Sequence, residues 1–334
     1  MDKIAFICEN SFIYWTPVII AISGLAAALI FVSIYTGRGG KYTAAFVSIP
    51  ISAILGIVIG RFVHWYCNSG AYSSFAVAMT DYSRGEFALV GVFISCGITA
   101  CLLRLVRLTD NLPKMLDAMS IAGCIGISVG RLASLFDSSS RGKVTLPEDV
   151  GFPFAYPMIN PVSHESENRL ATFMIQCGEA AVIAIALITF MAVQRARKKK
   201  IRDGDITLLF LGAYCICQIV CDSTRYDRLV FRSNGFVSMV QIVGLVVLLA
   251  ITVIFSVRLI KAKGFSYWYI AFWAGILGML GLAGYMEYFV QNNSTKAGFA
   301  YSMMFAALLI LYAILLTMRY FANPKKVKNL RAHI

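Results

Sequence analysis

Nine long apolar stretches constrain the fold of this chain more than any other feature of its sequence. Each has the roughly 20 residues that a helix needs to cross the hydrocarbon core of a bilayer. They are residues 13–36, 42–66, 86–106, 115–137, 170–194, 205–222, 235–258, 266–288 and 298–319. Only 14% of all residues are charged, against about 25% in a soluble domain. The sequence therefore predicts an all-α polytopic membrane protein with about nine transmembrane helices, and it argues against a soluble globular enzyme.

The charges of the connecting loops alternate along the chain. Of the 30 lysines and arginines, 19 follow the first, third, fifth, seventh and ninth stretches. Because basic residues mark the cytoplasmic side of membrane proteins, we expect the N-terminus outside and the C-terminus inside. The net charge of +13 is then an orientation signal, so we expect a bilayer and not nucleic acid as the partner. The nine cysteines lack metal-ligand spacing, and we expect no metal and no cofactor.

Arginines are also frequent on the predicted outer side, where orientation does not require them. They are Arg61, Arg84, Arg131, Arg141, Arg169, Arg225, Arg228 and Arg232. An arginine within the apolar region costs about 2.5–3.5 kcal/mol on insertion scales. A planar guanidinium suits phosphate, so we predict that the outer face binds an anion, with a phospholipid headgroup as the natural ligand.

Two predicted outer loops are long, residues 67–85 and 138–169, and the second holds four of the eight prolines. Connections in helix bundles are normally short. Long irregular segments of this kind are typical of binding arms. A solvated loop without a function is the alternative.

Spans 2 and 4 share a short repeat that ends in an arginine. It reads Gly56-Ile-Val-Ile-Gly60-Arg61 in one span and Gly126-Ile-Ser-Val-Gly130-Arg131 in the other. Small residues four apart let helices approach closely, so helix packing explains the glycines. Packing does not explain the arginines, and both spans deliver them to the outer third of the bundle. We therefore predict a functional role for Arg61 and Arg131.

Spans 5 and 6 carry polar side chains at membrane depth. Tyr214, Gln218, Asp222 and Arg225 fall on one stripe of a helix, and such a stripe faces the bundle interior or a water-filled cavity. The alternative is an Asp222–Arg225 pair that only caps the span. Glu179 lies within span 5 and needs a partner, either in a structural ion pair or in a site that organises a headgroup.

Three of these segments resemble the bacterial prolipoprotein diacylglyceryl transferase family. The matching residues are Asp117, Gly126, Gly130 and Arg131 followed by Gly142-Lys-Val-Thr145; Gln176-Cys-Gly-Glu179; and Gly204, Tyr214, Asp222 and Arg225. The resemblance covers about residues 10–260. It implies a seven-span enzyme of the bacterial inner membrane, here residues 1–262, that moves diacylglyceryl from phosphatidylglycerol to the lipobox cysteine of a prolipoprotein signal peptide. Residues 263–334 would then be two additional helices and a basic tail.

The chain also departs from the family pattern. Gly85-Glu-Phe-Ala-Leu89-Val-Gly91 stands where the family has a histidine segment, Ser134 and Ser139 stand where it has asparagine and glutamate, and Gln218 stands where it has an arginine. A relative that binds lipid without transferring it is therefore a second hypothesis. A transporter is a third, but the short repeat joins spans of the same orientation and not inverted ones.

The implied reaction is attack by a cysteine thiolate on the glycerol carbon that bears the phosphate ester. It needs cations for the phosphate and a base for a thiol whose free pKa is about 8.5. We predict Arg131 and Arg225 as the cations and His64 as the base, although His64 also fits an interfacial residue beside Trp65 and Tyr66. The predicted substrate-binding residues are Arg61, Ser134, Ser139, Gly142, Gln176, Glu179, Tyr214 and Asp222.

Overall fold

The computed structural model describes residues 4–8, 11–81, 87–137, 139–147, 149–159, 164–199, 201–231 and 234–322. The prediction of an all-α polytopic membrane protein is confirmed. The helices are α1 (Trp15–Gly37), α2 (Tyr42–Cys67), α3 (Phe75–Thr80), α4 (Leu89–Leu105), α5 (Leu112–Arg131), α6 (Thr172–Ala196), α7 (Asp205–Thr224), α8 (Met239–Lys263), α9 (Trp268–Asn292) and α10 (Ala297–Phe321). Within the described residues, eight helices are long and apolar enough to cross a membrane, and α4 is a shorter apolar helix.

The described residues include three antiparallel pairs of strands, of which the first precedes α1 and the other two lie between helices. Their strands are β1 (Ile4–Cys8) with β2 (Ser11–Tyr14), β3 (Ala155–Ile159) with β4 (Ser166–Leu170), and β5 (Val230–Phe231) with β6 (Asn234–Ser238). The β3–β4 hairpin lies in the 138–169 segment that we expected to be irregular. All five residues of β3 pair with β4, from Ala155 with Leu170 to Ile159 with Ser166. The two strands lie in a proline-rich segment, whose sequence lacks a periodic pattern that would predict their pairing.

The chain divides into two compact units, residues 1–210 with 224–239 and residues 211–223 with 240–334. In the first unit, the glycines of the repeat allow close helix packing. A Cβ at Gly91 of α4 would lie 2.3 Å from the backbone nitrogen of Gly60 in α2. The Ser23 hydroxyl of α1 donates to the Gly126 carbonyl of α5 at 2.8 Å. The glycines therefore serve as contact points between helices, as the packing interpretation requires.

A charged cluster lies where α5 begins, and we refer to it as the inner cluster. The Asp117 carboxylate is fully buried and accepts hydrogen bonds from the guanidinium of Arg38 at 3.1 Å and the backbone nitrogens of Gly204 and Thr207 at 3.0 and 2.9 Å. Arg38 also donates to Asp203 at 3.0 Å. Asp117 thus caps the start of α7, whose first amides lack intrahelical partners, and gives a structural reason for an aspartate that belongs to the family resemblance.

The second unit contains α8, α9, α10 and residues 211–223 of α7. Gly212 allows the close approach of α10, because a Cβ there would lie 2.9 Å from the Tyr312 ring. Leu248 of α8, Ile276 of α9 and Leu308 of α10 are fully buried. Each of the three helices therefore contributes fully buried apolar side chains.

Candidate functional site

Two of the predicted site residues, Arg131 and Arg225, are linked through a serine and an aspartate, although 94 residues separate them in sequence. Arg131 ends α5, and its Nη1 donates to the Ser140 hydroxyl at 3.1 Å. The Ser140 backbone nitrogen donates to Asp227 Oδ2 at 3.0 Å. Arg225 donates to both Asp227 oxygens, from Nε at 3.0 Å and from Nη2 at 2.9 Å. We refer to Arg131, Ser140, Arg141, Arg225 and Asp227 as the arginine platform, and to the end of the unit where it lies as the outer end.

Gly142 lets three backbone segments meet beneath the platform. Residues 140–146 run between the end of β4 and the segment after α7. The Gly142 nitrogen donates to the Leu170 carbonyl at 2.8 Å, and the Lys143 nitrogen donates to the Thr224 carbonyl at 2.6 Å. A Cβ at Gly142 would lie 2.6 Å from the Leu170 Cβ and 2.9 Å from its carbonyl oxygen. The position predicted to bind substrate is thus required for the close approach of the backbone.

Arg141 is a buried part of the platform that the sequence did not single out as a site residue. Its side chain is only 3% exposed and lies between two rings, 4.1 Å from the centre of Tyr156 and 4.5 Å from that of Phe173. Nη2 donates to the carbonyls of Ser134 and Asp137, both at 2.8 Å. Burial lowers the pKa of Arg141, and nearby acidic groups including Asp137 offset part of that effect. Arg141 therefore connects the end of α5 to β3 and to α6.

The platform carries more positive than negative charge. Three guanidinium groups lie near two carboxylates. Asp227, whose side chain is 37% exposed, is paired with Arg225, and the charges of Asp137 and Asp227 both act on Arg141. Burial by itself raises the Asp227 pKa, but the charge and hydrogen bonds of Arg225 and the amide of Ser140 outweigh it, so that its pKa lies below the ordinary value. Asp227 is therefore a carboxylate at neutral pH, and it balances one of the three guanidinium groups. An anion would complete the charge balance of such a cluster.

The two serines predicted to bind substrate lie beside Arg141. Ser134 Oγ and Ser139 Oγ are 3.1 Å apart and share a hydrogen bond. Ser134 is buried, and its carbonyl accepts from Arg141 at 2.8 Å. The serines therefore form the turn that follows α5 and leads into Ser140.

The first residue of α6 contacts the end of α7 beside the platform. The hydroxyls of Thr172 and Thr224 are 3.1 Å apart. Gln176 lies one turn further along α6 and is fully buried, whereas Glu179 is half-buried. Because residues four apart share a helix face, Thr172 and Gln176 face the same side of α6.

Arg61 and His64 lie at the end of α2 and contact the 67–81 segment. The Arg61 guanidinium is 3% exposed and donates to the carbonyls of Ala78, at 2.9 Å from Nε, and Asp81. His64 is buried, with Nδ1 3.0 Å from the Tyr72 hydroxyl and Nε2 3.3 Å from the Asn68 amide. Arg61 thus supports the end of α3.

The remaining predicted residues belong to the second unit. Tyr214, Gln218 and Asp222 lie in the part of α7 assigned to it, and all three are buried. A buried polar stripe agrees with a helix face directed into a bundle. Among the outer arginines, Arg84 and Arg232 fall outside the described residues, as do Gly85 and Glu86 of the segment that lacks the histidine.

Ser140, Arg141 and Asp227 belong to the platform but were not predicted as site residues. A signal existed for each of them, because Ser140 and Arg141 directly precede the Gly142-Lys-Val-Thr motif and Asp227 follows Arg225 by two residues. What the sequence did not provide was the pairing of these two segments. Across the described ranges, no group of three or more His, Cys, Asp or Glu residues has the geometry of a metal site.

Comparison with protein families gives a match. The model of the family described as prolipoprotein diacylglyceryl transferase matches residues 3–257 of the chain, which is more than half of its length. The match ends within α8, so α9 and α10 lie beyond it. No curated protein matches the chain.

Proposed function

Since the chain belongs to the prolipoprotein diacylglyceryl transferase family, we propose that it transfers a diacylglyceryl group from phosphatidylglycerol to the lipobox cysteine of a prolipoprotein. The observation that carries this proposal is the arginine platform, in which Arg131 and Arg225 meet through Ser140 and Asp227. The excess of positive charge suits the phosphate of an anionic lipid.

The proposed reaction exchanges one bond for another at a glycerol carbon. The cysteine thiolate attacks the carbon that bears the phosphate ester, a C–S bond forms, and the C–O bond breaks. Glycerol phosphate leaves with the electron pair of that bond, and the thiol proton passes to a base. Charge builds on the leaving phosphate, so cations placed beside it lower the barrier.

In this proposal, Arg131 and Arg225 bind the phosphate and stabilise the departing charge. Ser140 and Asp227 hold the two side chains in place through the hydrogen bonds already described. Ser134, Ser139, Gln176, Glu179, Tyr214 and Asp222 remain the proposed substrate-binding residues. Gly142 contributes through the backbone, and Arg61 assists by holding the 67–81 segment.

His64 is the proposed base, because its unperturbed pKa of about 6.5 lies closest to neutral among the side chains considered. If the Asn68 amide donates to Nε2, Nδ1 carries the proton and donates to Tyr72. Replacing His64 with alanine should lower the rate by about 10²–10⁴-fold, as expected for a general base, and leave lipid binding nearly intact. An unchanged rate would show that His64 is not the base, and Glu179 would become the proposed base.

The test is transfer in proteoliposomes. The full-length protein is incubated with phosphatidylglycerol and a lipobox peptide, and mass spectrometry measures the mass gain at the peptide cysteine. Arg131→Lys and Arg225→Lys should each weaken binding of the lipid, since an ammonium loses the bidentate fork. Arg228→Lys is the matched control, because Arg228 lies in the same segment and donates to the Gly235 carbonyl.

Lipid binding without transfer is the second candidate function. It is favoured by the histidine missing from residues 85–91 and by the serines at positions 134 and 139. Arginine-dependent binding of phosphatidylglycerol together with no transfer from any anionic lipid would support it against the enzyme.

We also propose that the protein lies in the bacterial inner membrane with its N-terminus outside, so that the platform faces the outer leaflet and the signal peptide. Cysteines introduced at the exposed positions Glu165 and Lys199 test this in sealed cells. An impermeant maleimide should label position 165 and not position 199. Labelling at 199 alone would reverse the orientation and refute the outer-leaflet site.

A further inference from the structure

The second unit contains a buried carboxylate that the proposed reaction does not use. Glu287 lies near the end of α9 and is 4% exposed. It accepts hydrogen bonds from the Ser223 hydroxyl, from Gln241 Nε2 at 3.0 Å and from Gln291 Nε2 at 2.7 Å. Ionisable residues inside membrane bundles are expensive and are rarely placed without a role. Three donors satisfy the carboxylate, so it is built into the unit.

The hydrogen bonds of Glu287 tie the other helices of the unit to the end of α7. Gln241 of α8 donates to two acceptors, because its Nε2 contacts both the Glu287 carboxylate and the Ile219 carbonyl of α7, the latter at 3.3 Å. Tyr301 of α10 donates to the Ser223 carbonyl at 3.4 Å. Ser223 is therefore held by its side chain and by its backbone, from α9 and α10 respectively.

Ser223 lies in the chain between the buried part of the polar stripe and Arg225. It directly follows Asp222 of the polar stripe, and Arg225 comes two residues later. The two helices that hold it, α9 and α10, lie beyond the family match, which ends at residue 257. The helices added to the family core thus contact the core helix at the turn that leads to a proposed phosphate-binding arginine.

We propose that Glu287 is a positioning residue for lipid binding. Through Ser223 it fixes the last turn of α7, and in this way α9 and α10 take part in the function of the family core instead of forming an appendage. This inference rests on the proposed role of Arg225 in binding the phospholipid phosphate.

The test combines Glu287→Gln, Ser223→Ala and the double variant in the full-length protein. An amide at 287 offers one acceptor oxygen to three donors, so at least one hydrogen bond is lost. Ser256→Ala is the matched control, because Ser256 accepts a hydrogen bond from Trp273 at 3.0 Å and also links α8 to α9, outside the Glu287 cluster. Thermal unfolding in detergent shows which variants are folded.

Each single variant should raise the KM for phosphatidylglycerol about tenfold, because misplaced binding groups weaken substrate binding. A partly unfolded sample would instead lose active enzyme without a change in KM. The double variant should cost no more than either single one, as expected for two residues of one network. An unchanged KM in folded Glu287→Gln, or additive losses in the double variant, would overturn the proposal.

A second readout separates this proposal from the proposed function. Cys221 lies in the same turn of α7 and is buried, and its alkylation can be followed by mass spectrometry without any transfer activity. Alkylation should be about tenfold faster in Glu287→Gln than in the unmodified protein or in Ser256→Ala, if opening of the turn becomes easier by about 1.4 kcal/mol. Absence of transfer by the unmodified protein refutes the enzyme alone. Unchanged alkylation of Cys221 refutes the positioning role alone.

Discussion

The two ends of the first unit use the same residue types for opposite purposes. In the inner cluster, two aspartates surround Arg38, and the buried Asp117 carboxylate accepts from a guanidinium, two backbone amides and the Thr207 hydroxyl. In the arginine platform, three guanidinium groups lie near two carboxylates, Asp137 and Asp227. A buried cluster with enough acceptors for its donors holds helices together. A cluster with excess cations has capacity for a ligand. We therefore propose that the balance of charge, more than the presence of arginine, distinguishes the structural inner cluster from the arginine platform as a binding site.

The largest expected effect is at the inner cluster. Asp117→Ala leaves Arg38 and the first amides of α7 without their acceptor, and removing one partner of a buried pair costs about 3–5 kcal/mol. Thermal unfolding in detergent measures the loss. Asp110→Ala is the control, because Asp110 is 73% exposed in its pair with Lys41 and should cost less than about 1 kcal/mol. Equal losses for the two variants would contradict the structural role of the inner cluster.

The next largest effect is at Gly142. A methyl group there meets Leu170 at 2.6 Å, so the backbone segments beneath the platform must separate, and overpacking of this kind costs about 1–3 kcal/mol. We expect Gly142→Ala to lower stability and to weaken binding of phosphatidylglycerol vesicles. Gly151→Ala is the control in the same loop, since no atom lies within 4 Å of its added Cβ. Normal lipid binding by Gly142→Ala would show that the platform does not depend on this close approach.

Arg141→Lys should have a smaller effect, about 1–2 kcal/mol of stability, because a lysine loses the planar stacking between Tyr156 and Phe173 and the forked hydrogen bonds. The charge remains, so a purely electrostatic role predicts no change. Unfolding of Arg141→Lys and of Arg228→Lys, whose arginine contacts the Gly235 carbonyl, separates the two explanations.

The smallest effect is the pH dependence of the platform. The pKa of Asp227 is lower in the folded protein than the ordinary carboxyl value, so its contribution to stability is present above the ordinary value and is lost as the pH falls through the folded pKa. The contribution should be constant from neutral pH down to the ordinary carboxyl range and then disappear on further acidification. Unfolding midpoints of the unmodified protein and of Asp227→Asn, measured against pH, should converge only in that acidic range. Convergence near neutral pH would mean that Asp227 is not held as a carboxylate by Arg225.

The sequence predicted the parts of the molecule that depend on local patterns. Length and apolarity located the helices, and the excess of outer arginines pointed to Arg131 and Arg225. The link between them could not be predicted, because Ser140 and Asp227 are 87 residues apart and their contact depends on how three loops pair. The β3–β4 hairpin and the burial of Arg141 were missed for the same reason. Glu287 was missed because the two last helices lay outside the family resemblance.

The pairing of residues 140–146 with the segment after α7 also has a consequence for biogenesis. Lys143 donates to the Thr224 carbonyl and Ser140 to Asp227, so the platform is incomplete until the ribosome has synthesised about two thirds of the chain and α7 has entered the membrane. The hydrogen bonds of Asp117 likewise depend on Thr207, which is synthesised later. A nascent chain that stops after α6 therefore lacks the acceptors of the Ser140 and Lys143 backbone amides and the two backbone donors to Asp117, so neither cluster is complete before α7 has been made.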